Sequence, residues 1–176
     1  ALMSVFMMVR HTRAEEESER AELIRSAPVG RHAQLAAALA GTLAANAVVD
    51  VSIVVAFVAR DLPLTGSVAF ACALFGAGAV FAAIAAIAAQ VTAGARSAIG
   101  LATALIAVSF VLRAIGDVGD GRLSWLSPIG WAQAIRAFAD ERWWVLVLPI
   151  VPAAGGMALA VSLQMRRDLG AGLVGQ

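Results

Sequence analysis

The 176 residues are 61% hydrophobic and only 14% charged, with a net charge of +1 and a mean hydropathy of +0.85. A soluble globular domain is roughly half apolar and about a quarter charged, so this composition excludes that class and specifies an integral membrane protein. All basic residues are Arg and their balance with the acids is nearly neutral, so there is no basic field to attract nucleic acid.

Spans need about 20 apolar residues each, which allows roughly four or five crossings. The chain opens on ALMSVFMMV, apolar with neither a basic start nor a cleavage site, and reads as the tail of an earlier span. The sequence is therefore expected to be a piece of a longer protein. Residues 10–32 form the one long charged run. Thr12 and Glu15 have capping-box spacing, which predicts that a helix begins at Thr12. Glu15, Glu16 and Glu17 suit the positive end of that helix, Arg20 and Arg25 follow, and Glu16 and Arg20 stand at the favourable four-residue spacing. Pro28 and Gly30 stop it. Leu23, Ile24 and Val29 give it a small apolar face, which a helix floating in water does not need.

Residues 33–59 form the first complete span, closed by Arg60, Asp61 and the turn at Pro63. Gln34, Thr42, Asn46 and Asp50 recur in it at multiples of four, drifting only slightly around one helical face. A carboxylate inside a membrane costs about 2.5–3.5 kcal/mol on insertion scales, so Asp50 is either a functional group or one paired with a neighbouring helix, Arg113 being a candidate partner. Residues 66–91 form the second span, and its density of Gly and Ala predicts burial among other helices. Cys72 lies in that apolar run, without a second Cys for a disulfide or a metal site, and reads as a packing residue. Residues 98–115 form the third span, barely long enough unless tilted or extended.

The GDVGDG run at 116–121 is too rich in Gly to continue a helix and is expected to be a plain turn, lacking the further oxygen ligands of a calcium loop. Ser127 before Pro128 starts an amphipathic helix of about three turns, with Trp131, Ile135 and Phe138 on one side. That helix is too short to cross and reads as an interfacial or re-entrant lid. All four tryptophans, Trp125, Trp131, Trp143 and Trp144, crowd into residues 116–144 and mark a membrane surface. Residues 145–165 form the last span, where Pro149 and Pro152 predict a kink or a broken first turn, and Gly155, Gly156 and Ala160 offer a close-packing face.

Alternating these crossings puts eight Arg (10, 13, 20, 25, 31, 96, 166, 167) on one side and five (60, 113, 122, 136, 142) on the other. The positive-inside rule then makes residues 10–32 cytoplasmic and the Trp-rich insertion external. The absence of Lys rules out a Walker-type phosphate loop in this chain. His11 and His32 have no acidic or Cys partners at metal-ligand spacing, and no Ser-His-Asp set exists, so neither catalysis nor a metal is expected.

The runs TRAEEESERAEL and IRSAPVGRH, then LRAIGDVGDGRLSWLSPIGWAQAIRAFADERWW and RRDLGAG, resemble ABC-type exporter permeases of the polyketide-antibiotic or multidrug exporter kind. Glu19 departs from that pattern, which has a small residue there. The resemblance implies an all-α polytopic transmembrane bundle forming part of a permease. Its charged segment (Arg13, Glu15, Glu16, Glu17, Arg20, Glu22, Leu23, Arg25) would dock as a coupling helix into a separate ATPase subunit that binds ATP and Mg. The other partners it implies are the rest of the permease, the bilayer and a hydrophobic or amphipathic small-molecule substrate. With this go Thr42, Asn46 and Asp50 as pathway residues, and Trp125, Pro128, Trp131 and Phe138 as an outer lid. Two rival readings are a proton-coupled transporter using Asp50 and a structural membrane protein without transport.

Overall fold

The computed structural model describes residues 1–15 and 33–166, and among these it contains helices and turns but no strand. The order is α1 (Leu2–Val9), continued by a π-helical turn (Arg10–Ala14), then α2 (Ala33–Val58), α3 (Leu64–Val91), α4 (Ala95–Val118), α5 (Pro128–Ala134) and α6 (Val147–Arg166). Short 3₁₀ turns occupy Arg122–Leu126 and Trp143–Leu146. Within lipid no water can satisfy a free backbone group, so apolar runs of this length close their hydrogen bonds internally as helices. Among the described residues, four helical segments are long and apolar enough to cross a membrane: α2, α3, α4 and Trp143–Met165.

The helix α3 is the axis of the bundle. Of its most apolar stretch 56% is enclosed by other helices, against 17%, 17% and 22% in α2, α4 and the last span. Its Ala and Gly residues permit this, because lipid tails are as apolar as leucine and helices gain by approaching closely rather than by leaving water. A Cβ on Gly156 of α6 would lie 3.0 Å from the Ala83 methyl, and one on Gly76 would lie 2.8 Å from the Pro149 ring. On the opposite flank Val5, Met8 and Val9 of α1 are fully buried against Leu35, Phe81, Ala85, Ala98 and Ala102.

Several expectations are corrected. No helix begins at Thr12: its hydroxyl donates back to the Met8 carbonyl (2.7 Å), so the helix of α1 runs on through Arg10–Ala14 to Glu15. A threonine inside a helix has this local bond available, and here it wins over capping. His11, read as having no acidic partner at metal-ligand spacing, meets Glu15 one turn later at 3.0 Å. The third span is extended at both ends, one of the two outcomes expected of so short a run, and α4, starting at Ala95, runs against expectation through Gly116 and Asp117 to Val118. Gly116 serves there as a point of close approach, since a Cβ would overlap Ser124, and Arg113 bridges to Asp117 (2.8 Å) along the same helix. The turn proper is confined to Gly119–Gly121, with Gly121 left-handed at φ 80° and Asp120 accepting from the Arg122 N–H (3.1 Å).

Ser127 does start a helix, accepting from the Ile129 and Gly130 N–H groups (3.2 and 3.3 Å). That helix stops at Ala134, about two turns rather than three. Arg136, Phe138 and Asp140 each take positive φ (55°, 67°, 63°), a conformation no helix accommodates, and the Arg142 N–H closes the loop onto the Ile135 carbonyl (2.8 Å). Pro149 falls in the first turn of α6, where its missing N–H would be unpaired anyway, and Pro152 lies within the helix after the 3₁₀ turn at Trp143–Leu146.

Candidate functional site

Three regions of the bundle carry the polar chemistry. At one end, Arg13 is 2% exposed, and its guanidinium turns inward to donate to the carbonyl of Thr92, the residue capping α3. Thr92 is itself fixed by a bond from its hydroxyl to the Ala88 carbonyl (2.8 Å). A charge-assisted bond to an otherwise orphaned helix-end carbonyl is a strong one, and it ties residues 10–15 to the α3–α4 turn. Glu15 lies beside His11 on the same helix. Glu16, Glu17, Arg20, Glu22, Leu23 and Arg25 lie outside the described residues.

The second region is the polar stripe of α2. Thr42, Asn46 and Asp50 all face inward, at 0%, 7% and 8% exposure, but they do different things. Thr42 donates to the Ala38 carbonyl of its own helix (2.8 Å). Asn46 reaches Ser4 of α1 through both amide atoms (3.1 and 3.2 Å) and lies over Gly78 of α3, where a Cβ would come within 2.9 Å of its amide nitrogen. It is a three-helix junction. Asp50, about one turn farther along, lines a groove between α2, α3 and α6 with Cys72, Phe75 and Met157 among its walls. Its Oδ2 is buried and has no hydrogen-bond partner. The expected partner Arg113 is engaged elsewhere, with Asp117 and with the Gln133 side-chain oxygen (2.7 Å). Among the described residues Asp50 and Arg113 do not pair: Arg113 lies within α4 and is satisfied by Asp117 and Gln133.

At the other end lies the Trp-rich insertion. Trp131 donates from its indole N–H to the Trp125 carbonyl (2.6 Å), and Trp125 stacks on Trp144 with centroids 5.8 Å apart at 13°. Ser127, just before the buried Pro128, donates to the Ser109 carbonyl of α4 (2.7 Å). Phe138 is carried by the 135–142 loop rather than by a helix face shared with Trp131; its ring lies edge-on to Phe57 (5.8 Å) and over Gly66. Ile135 plugs a small pocket made with Ala69 and Ala73. Trp125, Pro128, Trp131 and Phe138, the residues expected to form a lid, thus belong to one substructure, clamped to α4 at one side and to the α2–α3 hairpin at the other.

Sequence reasoning missed Ser4 and the groove wall. Ser4 is the one polar residue in ALMSVFMMV and could have been flagged on that ground. The wall residues are apolar among apolar neighbours and carry no signal.

No family model matches the chain. Over all 176 residues it is 46% identical to the multidrug efflux system permease protein of Mycobacterium tuberculosis, of which it covers 32%. The chain thus spans about a third of the length of the curated relative it matches. It is homologous to one part of an efflux permease, with several candidate membrane crossings in that part.

Proposed function

We propose that this chain forms part of the membrane-spanning permease of an ATP-driven exporter of amphipathic or hydrophobic drug-like molecules. The observation that supports this most is the 46% identity maintained along the whole chain to a multidrug efflux permease. In this reading ATP hydrolysis falls to a separate ATPase subunit holding ATP and Mg, and these 176 residues, which include no Lys, supply no phosphate loop of their own.

Glu15, Glu16, Glu17, Arg20, Glu22, Leu23 and Arg25 form the docking segment for that subunit. Arg13 passes its motion to the end of α3 through the Thr92 carbonyl. Coupling requires a connection stiff enough to move a packed helix, and a buried charged hydrogen bond provides one. Thr42, Asn46 and Asp50 line the inner side of α2 towards the pathway, and Trp125, Pro128, Trp131 and Phe138 form its outer lid. Alternating access then consists of the α3 axis and the lid rearranging as the ATPase closes, with the rest of the permease completing the wall.

Co-expression of the full-length permease with its ATPase tests this. Charge reversal at Glu16 and Glu22, or Ala21→Pro, is expected to abolish ATP-driven efflux and weaken co-purification while leaving insertion intact. Full export by these variants would refute the docking assignment. The buried Asp50 Oδ2, which has no hydrogen-bond partner among the described residues, favours one rival, proton-coupled transport. Efflux abolished by a protonophore but indifferent to a hydrolysis-dead ATPase would select it.

A further inference from the structure

The groove between α2, α3 and α6 has a volume of about 770 Å³, which falls in the roughly 300–1,000 Å³ range of small-molecule sites. Among the described residues its wall is aliphatic and aromatic, with Val54, Phe75, Ile150 and Met157 from three helices, and Asp50 supplies its one carboxylate. No Arg contributes to the wall. Asp50 is 8% exposed, and its Oδ2 accepts no hydrogen bond from any described group. Leaving a buried carboxylate with an empty acceptor site is costly in an apolar medium, and a positive charge in the groove removes the cost.

The same wall restricts what that cation can be. A metal ion needs several oxygen ligands and the groove offers a single carboxylate. A hydrated primary ammonium needs three acceptors, which the apolar wall also lacks. A cation whose charge is spread over or shielded by apolar groups needs only one counter-ion, and it profits from an aromatic ring and a polarisable thioether beside it. We infer that the groove is a binding site for a lipophilic organic monocation, with Asp50 as its counter-ion and Phe75 and Met157 as apolar contacts. This rests on the export reading and names its substrate class.

The test uses the full-length permease with its ATPase in lipid nanodiscs, without nucleotide, and radiolabelled tetraphenylphosphonium beside neutral triphenylphosphine oxide. Tetraphenylphosphonium should bind saturably and protect Cys72 from N-ethylmaleimide, read by peptide mass spectrometry. Asp50→Asn should weaken its binding about tenfold or more, with the neutral probe changed less than about twofold and Asp50→Glu restoring most of the cation affinity. Equal affinity of the parent and Asp50→Asn for tetraphenylphosphonium would overturn the proposal. So would a parent protein that binds no tetraphenylphosphonium or leaves Cys72 unprotected, the result expected if a further permease helix satisfies Asp50. ATP-driven efflux by the parent is measured in parallel. Asp50-dependent binding without efflux supports the site and sinks the export reading, whereas efflux with Asp50-independent binding sinks the site alone.

Discussion

Phe138 lays its ring on the bare backbone of Gly66, so that the loop after α5 reaches across and closes on the first turn of α3. The contact exists because two unusual choices coincide: a left-handed Phe138 (φ 67°), and a residue beneath it with no side chain. Phe57 holds the same ring edge-on, and Phe70 stacks obliquely on Phe57 at 5.4 Å.

Gly66→Leu should therefore lift the loop. A side chain there must displace the ring, at a cost of about 1–3 kcal/mol, and Ile135 loses its seal over Ala69. The measurement is thiol reactivity of Ala69→Cys in the purified protein, buried in the parent and expected to become reactive with Gly66→Leu. Phe138→Ala should expose the same cysteine without overpacking. An inert cysteine in both backgrounds would mean that the loop does not depend on this contact.

The Arg13 bond to the Thr92 carbonyl predicts an uncoupled but inserted protein when it is removed. Arg13→Ala forfeits a charge-assisted bond of about 1.5–3 kcal/mol, so thermal unfolding in detergent should begin at lower temperature. ATP-driven efflux should fall more than surface expression does. Arg13→Lys, with a single-point donor, should recover part of both. Unaltered efflux in Arg13→Ala would remove Arg13 from the coupling path.

Ser4 and Asn46 should behave as one unit. In a double-mutant cycle of Ser4→Ala and Asn46→Ala, the coupling energy is expected at about 0.6–1.7 kcal/mol, the span found for interhelical hydrogen bonds in membranes. Gly78→Ala should disturb the same junction, because its methyl would press on the Asn46 amide. Additive single effects on stability would show that the α1–α2 contact is held by packing alone.

Sidedness is open to a direct check. Cysteine at Asp120, which is exposed in the tight turn of the Trp-rich insertion, should react with an impermeant thiol reagent in intact cells. Labelling only after the cells are opened would invert the orientation drawn from the Arg distribution.

Composition and periodicity were enough to determine a helical membrane bundle, its four long apolar helices and the burial of the Gly and Ala face at the second of them, because each depends on local properties. Apolar length fixes a span wherever it sits, and a lack of side-chain volume permits close packing whatever the neighbour is. The inward face of Thr42, Asn46 and Asp50 was legible for the same reason, helical spacing being a local quantity.

What each of those residues does was decided only in three dimensions. Asn46 is a junction because α1 brings Ser4 to it across 42 positions of sequence, while Asp50 opens onto a groove whose wall comes from three helices. The helix of α1 runs through Thr12, and α4 runs through Gly116, because a back-bond to Met8 and the close approach of Ser124 outweigh capping and propensity. Those preferences are worth about 1 kcal/mol each, and a competing contact of similar size, local at Thr12 and tertiary at Gly116, reverses them. The loop of Phe138 shows the same limit: nothing in AIRAFADE announces three left-handed residues, which persist because Ile135 and Phe138 are anchored on α3.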